Sequence, residues 1–288
     1  MANARAMDGL GVDTSGFQLI ELPGAVPDQD STCMRTMQEV VYPMVAAKVK
    51  QVVGARGAAL VFDHILRDEA LLHAEAASAE AAPESAVRTP HLKKPVYYVH
   101  ADYTMESGYT RARQLLEPHC TAELIDEALR ARFAMFNVWI PLQPVQRDPL
   151  GLVLWNSVRA LDVQRVVYDY EHRSGQIYDA CFSPAHQWAF FPRMEPGEAI
   201  LFKSFDSEPN VARFALHGSL DLDELPEAAP ARRSIELRLL VFYDSWSSSQ
   251  DGFAAGFVPP HLIPGHFDAD AYAHLRHEDI LPPRMDEF

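Results

Sequence analysis

The sequence predicts a mainly β fold with flanking helices (α+β), namely a double-stranded β-helix, or jelly roll, of the cupin-like kind. From residue 132 onward, short apolar segments alternate with Pro, Gly and Asp, which is typical of strands in an all-β barrel. A second indication is the order within 196–243: a Gly turn, an apolar strand, a strand presenting His217, and a strand carrying arginines. The strands predicted in this region are 133–142, 150–158, 187–192, 199–205, 213–216 and 235–243.

The elements before residue 132 are less regular. The β-branched and aromatic run 58–66 predicts a strand, and the Ala/Glu-rich run 70–85 predicts a surface helix or a loop. A further strand is predicted at 95–103, where alternate side chains share one face. Thr121 is the predicted cap of a helix over about 121–131, whose apolar residues recur at helical spacing.

The chain is predicted to form a single domain over 1–288, because no clear linker divides it. Within that domain, residues 1–57 are an N-terminal extension, 94–245 the jelly-roll core, and 246–288 a Pro-rich C-terminal extension. Two such extensions are compatible with a homodimer.

Charge and composition exclude several functions. The chain has 25 Lys and Arg against 40 Asp and Glu, a net charge of −15, so it does not bind nucleic acid by electrostatics. It lacks both a signal peptide and any stretch approaching about 18 apolar residues, so no membrane association is expected. Its three cysteines are far apart, which favours a cytoplasmic location. A small-molecule substrate is the expected partner.

Three residues fit a metal centre of two histidines and one carboxylate, which is typical of non-haem Fe(II) oxygenases. His100 and Asp102 are two positions apart on the predicted strand 95–103, so their side chains converge, and Tyr98 shares their face. His217 is the distal candidate. The His-x-Asp tripeptide alone is weak evidence, and a hydrogen-bonded surface pair is its alternative.

An arginine near the end of the chain can bind a carboxylate. Arg232, Ser234, Glu236 and Arg238 all occupy even positions, so they share one face if the final strand starts that early. A guanidinium there can hold the distal carboxylate of a co-substrate through two parallel hydrogen bonds. Arg238 is the alternative anchor, and an ion pair with the acidic segment 221–227 is the alternative for Arg232.

These residues carry a resemblance over about 94–245. The chain resembles the hydroxylase/desaturase family of natural-product biosynthesis, which includes AsaB-type proteins, the fungal gibberellin desaturase and CmcJ-type cephalosporin methoxylation proteins. One departure is Leu216-His217-Gly218, where the family usually has Pro-His-Thr. The six matching pieces are 99–104, 137–142, 149–152, 186–188, 198–207 and 232–238.

The resemblance implies a single oxygenase domain that uses Fe(II), 2-oxoglutarate and O2. It implies three iron ligands, His100, Asp102 and His217. It also implies co-substrate contacts, with Arg232 as the anchor and Asn137 as a second polar contact unless that amide makes a strand-end hydrogen bond. The full set of cofactor-binding candidates is Arg232, Asn137, Ser234, Arg238 and Tyr98.

The expected reaction oxidises a small natural-product intermediate by hydroxylation, desaturation or oxidative cyclisation, while 2-oxoglutarate is decarboxylated to succinate. An iron oxidase of the same fold that does not consume 2-oxoglutarate is one alternative. A catalytically silent β-helix protein that binds a small ligand is the other.

Overall fold

Two facing β-sheets make up most of the computed structural model, which describes residues 1–24, 26, 33–81, 91–170, 173–222 and 229–244. The predicted C-terminal extension 246–288 lies outside these residues. The strands are β1 (Ala2–Asn3), β2 (Phe17–Glu21), β3 (Ala59–Asp68), β4 (Leu92–Lys93), β5 (His100–Ala101), β6 (Phe133–Pro141), β7 (Leu150–Val153), β8 (Val163–Tyr170), β9 (Arg173–Ala180), β10 (Trp188–Phe190), β11 (Glu198–Asp206), β12 (His217–Ser219) and β13 (Arg233–Phe242).

The topology is the predicted double-stranded β-helix. One sheet has the order β2-β11-β6-β13-β3-β4, and the other has the order β1-β10-β7-β12-β5-β9-β8. The inner strands β11-β6-β13-β3 face β10-β7-β12-β5, and the chain crosses repeatedly from one set to the other. Because β2 and β3 belong to the first sheet, the sheets include strands that precede residue 94. The predicted division into an N-terminal extension (1–57), a core (94–245) and a C-terminal extension (246–288) stays a prediction.

Among the described residues, the sheets are flanked by the α-helices α1 (Met34–Thr36), α2 (Tyr42–Val53), α3 (Glu69–Ala81), α4 (Met105–Leu116) and α5 (Ala122–Arg130). Thr121 caps α5 as predicted, because its side chain accepts a hydrogen bond from the Leu124 amide. The Ala/Glu-rich run forms α3. Helix α2 packs on the outer face of the six-stranded sheet in one large apolar cluster. No helix of the described ranges has the length and apolar character needed to cross a membrane.

Some predicted strands differ from those observed. The strand predicted at 95–103 is reduced to β5, because Thr104 caps α4 immediately afterwards and the exposed Tyr97 and Tyr98 lie outside the ladder. Residues 213–216 are not a strand, and β12 begins at His217 instead. The segments 150–158 and 187–192 contain only the shorter β7 and β10. The hairpin of β8 and β9 and the helix α4 were not predicted.

A polar belt lies between two apolar clusters inside the barrel. Along the inner face of β6, Met135 belongs to one cluster, Trp139 belongs to the other, and the buried polar Asn137 lies between them. Burying polar groups is unfavourable unless they have hydrogen-bond or ion-pair partners, so a belt of them inside a barrel indicates a functional site. Its buried members are Asp63, Asp102, Asn137, Ser204, Glu236 and Arg238.

Candidate metal and co-substrate site

Adjacent strands bring His100, Asp102 and His217 together. His217 on β12 is the direct cross-strand partner of His100 on β5, and their ring centroids are 4.5 Å apart. Asp102 follows two residues after His100, so alternation places it on the same side. All three are buried, and one candidate ligand atom from each lies within 4.8 Å of the others. In the described part of the chain, this is the only such group of three or more metal-binding side chains.

Backbone carbonyls orient both imidazoles. The Nδ1–H of His100 donates to the Tyr98 carbonyl at 3.2 Å, and the Nδ1–H of His217 donates to the Ala215 carbonyl at 3.0 Å. A carbonyl can only accept, so each Nδ1 carries a proton, and in the neutral imidazole that binds a metal Nε2 is then the nitrogen with the lone pair. This second hydrogen bond is the usual arrangement for metal-binding histidines. Burial also lowers the pKa of His217 to about 3, with a further contribution from His100, so His217 is neutral at physiological pH.

A hydrogen-bond donor and a guanidinium lie on two sides of one oxygen of Asp102. Asn137 Nδ2 donates to Asp102 Oδ2 at 2.8 Å, and Arg238 Nε lies 3.3 Å from the same oxygen. The other oxygen, Oδ1, is 3.5 Å from His100 Nε2. Burial alone would raise the pKa of Asp102, but the charge of Arg238 beside it holds this pKa well below its ordinary value of 3.8. Asp102 is therefore an anionic side chain with one oxygen directed towards the imidazoles.

Two residues predicted to contact a co-substrate contact Asp102 instead. Besides Asp102, Asn137 Nδ2 donates to Glu236 Oε1 at 3.1 Å. The guanidinium of Arg238 also lies 3.2 Å from Asp63 Oδ2 and 3.6 Å from Glu236 Oε1, so three carboxylates surround it. That Asn137 and Arg238 contact a co-substrate stays a prediction. For Asn137, the observed contacts favour the alternative interpretation, a hydrogen bond within the protein.

Arg232 has a different environment from Arg238. Its Nη1 donates to the Asp148 carbonyl and to Ser219 Oγ, the latter at 2.9 Å, and its guanidinium carbon is 5.5 Å from the centroid of the Trp139 ring. It is only 3% exposed, and its Nε has no hydrogen-bond partner among the described residues. No carboxylate of those residues lies within ion-pair distance of it. Burial accordingly lowers the pKa of Arg232 from 12.5 to about 10.

A pocket joins Arg232 to the two histidines. Ser234, also predicted as a contact, is fully buried nearby on the same strand face, and its Oγ has no hydrogen-bond partner in the described part of the chain. Buried polar atoms without partners are uncommon in folded proteins and call for an explanation such as a ligand. The lining residues are Arg67, Val96, His100, Trp139, Leu150, His217, Gly218, Ser219, Arg232, Glu236 and Arg238.

Tyr98 lies at the outer side of the histidines. It is 37% exposed, and its ring centroid is 4.7 Å from that of His100. The backbone of Tyr98 explains the unusual residue after His217: a Cβ on Gly218 would lie 3.1 Å from the Tyr98 carbonyl oxygen. Since this carbonyl also accepts from His100, a glycine at 218 lets β12 approach without displacing it.

A second pocket lies against Asp102 and Arg238, between α4, β9 and β3. The guanidinium carbon of Arg111 is 5.4 Å from the centroid of the Phe62 ring in its wall. Most of the lining residues have polar side chains, although their apolar atoms also face the pocket; the lining consists of Phe62, Asp63, Asp102, Tyr103, Ser107, Thr110, Arg111, Gln114, Ser174, Gly175, Gln176, Ile177 and Arg238.

Sequence reasoning missed Asp63 and the role of Glu236. Asp63 stands in the apolar run 59–62 and 65–66, where a carboxylate in a buried strand is a signal of a paired or functional group. Glu236 lies an even number of residues from Arg232 and Arg238, and this spacing indicates that its carboxylate shares their face of the strand.

Known proteins with this fold and length support an enzymatic role. The chain is 27% identical over 240 residues to alpha-ketoglutarate-dependent dioxygenase tstK of Talaromyces stipitatus, covering 82% of this chain and 81% of tstK. It is 26% identical over 245 residues to hydroxylase/desaturase efuI of Hormonema carpetanum, covering 81% of this chain and 79% of efuI. A solved structure of the iron and alpha-ketoglutarate-dependent endoperoxidase NvfI matches with a TM-score of 0.67 and 26% identity, covering 83% of each chain.

The fold and these similarities define the class. The chain is a dioxygenase of the jelly-roll, non-haem iron class that includes Fe(II)/2-oxoglutarate-dependent enzymes. Residues 1–242 match the family model described as Oxidoreductase/YMDC permease-like domain, and the chain belongs to that family. The resemblance to the hydroxylase/desaturase family is thereby confirmed.

Proposed function

We propose that His100, Asp102 and His217 bind Fe(II) in an enzyme that oxidises a small natural-product intermediate and decarboxylates 2-oxoglutarate to succinate. With 2-oxoglutarate and O2, the bound iron supplies an oxidant strong enough to remove hydrogen from an unactivated carbon. Two neutral imidazoles and one carboxylate suit Fe(II), and both Nε2 lone pairs are available for it. The oxidation is a hydroxylation, a desaturation or an oxidative cyclisation.

The observation that carries this proposal is the buried Arg232 in the same pocket as His100 and His217. Its Nε and the Oγ of Ser234, both without partners among the described residues, are donors that a carboxylate can satisfy. Arg232 therefore binds the distal carboxylate of 2-oxoglutarate, while the other end of that molecule reaches the metal. The Trp139 ring, which lies against this guanidinium, helps to exclude water.

The second pocket accommodates the primary substrate. Asp102 lines this pocket and the two histidines line the pocket of Arg232, and the two linings share only Arg238, so both molecules can bind together. Its wall contributes hydrogen-bonding side chains from Gln114 and Gln176, and a cation from Arg111. These groups orient a polar molecule so that one of its carbons faces the metal.

Anaerobic titration of metal-free protein with Fe(II) and 2-oxoglutarate tests the proposal. A weak visible charge-transfer band is expected, because 2-oxoglutarate chelates iron through its 1-carboxylate and 2-keto oxygen. Arg232→Gln should shift the titration to higher 2-oxoglutarate, and His217→Ala should abolish the band. Iron binding without a band, together with no succinate, would instead indicate an oxidase that does not consume 2-oxoglutarate. Failure to bind iron would indicate a catalytically silent ligand-binding protein.

A cytoplasmic location and a homodimer complete the proposal. All three cysteines lie in the described ranges and form no disulfide there, which supports a reducing compartment. Leu161 and Phe182 are 74% and 94% exposed and flank the backbone hydrogen bond between Cys181 and Asp162, which supports a contact between subunits there. In analytical ultracentrifugation, wild type should sediment as a dimer and Phe182→Ser should dissociate at higher protein concentration. A monomeric wild type would contradict the proposal.

A further inference from the structure

Resting on the proposed function, we infer that Arg238, together with Asn137, is a positioning residue that keeps Asp102 a one-oxygen ligand of the metal. Asp102 Oδ2 has a partner on two sides: Asn137 donates a hydrogen bond to it at 2.8 Å, and the guanidinium of Arg238 forms an ion pair with it, with Nε 3.3 Å away. Only Oδ1 is left on the side of His100, whose Nε2 is 3.5 Å away. The carboxylate thus presents one oxygen where the imidazoles present their lone pairs.

The number of ligand oxygens matters because carboxylates bind metals through either one or both oxygens. With His100, His217 and one oxygen of Asp102 as its protein ligands, a bound metal would keep room for both a chelating 2-oxo acid and O2. A second oxygen of Asp102 on the metal would compete with them.

The groups that hold Oδ2 are themselves fixed. Asn137 Oδ1 accepts a hydrogen bond from Ser204 Oγ at 2.7 Å, which orients the amide so that its nitrogen faces Asp102 and Glu236. Arg238 is 5% exposed and lies within ion-pair distance of Asp63 and Glu236 as well as Asp102. A planar guanidinium can meet three carboxylates in one plane, whereas the ammonium of a lysine is a single point charge.

Arg238 on β13 and Arg232, just before that strand, therefore act at opposite ends of the co-substrate. Arg238 contacts the metal-binding carboxylate, and its charge is balanced by acidic partners. Arg232 has no such partner among the described residues and lies at the far side of the pocket lined by His100 and His217. Arg238 should then influence any 2-oxo acid that chelates the metal, whether or not it has a distal carboxylate.

Comparison of 2-oxoglutarate with pyruvate separates these roles. Pyruvate has the same chelating 2-oxo acid group but lacks the distal carboxylate. Each acid is titrated anaerobically, by the charge-transfer band, into wild type, Arg238→Gln and Arg232→Gln at a saturating Fe(II) concentration that is measured separately for each variant. Arg238→Gln should weaken both acids by a similar factor of about 10 to 100, as expected for a group that orients a metal ligand. Arg232→Gln should weaken 2-oxoglutarate alone, so that the preference over pyruvate disappears.

Variants with smaller changes protect the test against misfolding. Asn137→Ala removes one of the two contacts to Oδ2 and should weaken both acids in the same direction as Arg238→Gln. Should Arg238→Gln alone not fold, the double variant Arg238→Gln/Glu236→Gln removes a cation and an acid together and should again weaken both acids. Arg238→Lys should not restore wild-type binding, since it lacks the planar group.

Three outcomes would overturn the inference. Loss of the preference for 2-oxoglutarate in Arg238→Gln would make Arg238 a co-substrate anchor. Unchanged binding of both acids in the folded Arg238→Gln and Asn137→Ala variants would reduce these residues to structural contacts. Absence of any band in wild type would overturn the proposed function itself, and a band in wild type distinguishes the first two outcomes from this one.

Discussion

Arg232 and Arg238 should have different effects on the stability of the metal-free protein when each is replaced by methionine. Both are buried and are six positions apart, yet only Arg238 has carboxylates within ion-pair distance among the described residues. Arg232 has none of those carboxylates within ion-pair distance, and burial lowers its pKa, so its removal should cost little. Arg238→Met leaves three buried acids around an apolar side chain, so it should be strongly destabilising.

The pKa of Arg232 gives the magnitude. A decrease from 12.5 to about 10 corresponds to about 3 kcal/mol of unfavourable free energy for the buried cation. Its two hydrogen bonds, to the Asp148 carbonyl and Ser219, contribute about 1.5 kcal/mol each in the opposite sense, the lower end of the range for a charged donor. The two contributions nearly cancel. Removing one partner of a buried ion pair, as in Arg238→Met, costs about 3 to 5 kcal/mol.

Thermal unfolding of the metal-free variants checks this difference. In a protein of this size, 1 kcal/mol shifts Tm by about 2 to 4 °C. Arg232→Met should then stay within about 3 °C of wild type, while Arg238→Met should unfold at least about 6 °C earlier, by the same conversion. If Arg232→Met were destabilised as much as Arg238→Met, the buried Arg232 would be a structural residue, and its assignment as the site that awaits a carboxylate would be refuted.

Three further predictions concern the metal site, the acid limit of stability and helix packing. His217→Ala should abolish Fe(II) binding while the metal-free protein keeps its circular dichroism spectrum; retained iron binding would exclude His217 as a ligand. The hydrogen bond from Arg159 lowers the pKa of Asp162 from 3.8 to about 2, so this pair stabilises the fold fully above about pH 4 and ceases to do so as the pH falls through 2. Arg159→Met should therefore be less stable than wild type at pH 6, and this difference should disappear as the pH falls through 2. Gly108→Ala should lower Tm by calorimetry despite the better helix propensity of alanine, because its Cβ would lie 2.2 Å from the Phe205 ring and overpacking costs about 1 to 3 kcal/mol; an unchanged Tm would show that this ring can move.

The grouping of the three candidate metal ligands was predictable because it depends on the spacing of residues along a strand and on the order of the strands in the chain. The spacing of His100 and Asp102 fixes their common side on any extended segment, even though β5 is only two residues long. His217 followed from its place between an apolar strand and a strand carrying arginines. The even spacing of Arg232 and Arg238 likewise predicted that they share one face. These features depend on the period of a strand and on chain order, and both can be read from one sequence.

The partners of these residues were not predictable for a physical reason. Asp63 is 175 positions from Arg238, and they meet only because β3 pairs with β13 in register. Asn137 was predicted to contact a co-substrate because its donor faces the interior, but a nearer carboxylate, Asp102, accepts its hydrogen bond. Choosing between two acceptors requires distances in three dimensions. The length of β5 was also beyond prediction, since the cap of α4 at Thr104 ends the extended segment against its composition.

The buried polar side chains inside the barrel fall into two groups, those with charged or hydrogen-bonding partners and those without. Within the polar belt, Arg238 has carboxylates at ion-pair distance and Asn137 hydrogen-bonds to carboxylates and a hydroxyl, and burying such groups together is tolerable because the charges balance. Arg232 and Ser234 lie on the same face of the same segment with polar atoms that lack hydrogen-bond partners among the described residues. Arg238 has three carboxylates at ion-pair distance, whereas Arg232 has none among the described residues. Burying Arg232 in this way has an unfavourable free energy, which binding of a carboxylate would relieve. The unmatched donors therefore indicate where an anionic co-substrate binds, and the matched ones indicate what holds the metal ligand in place.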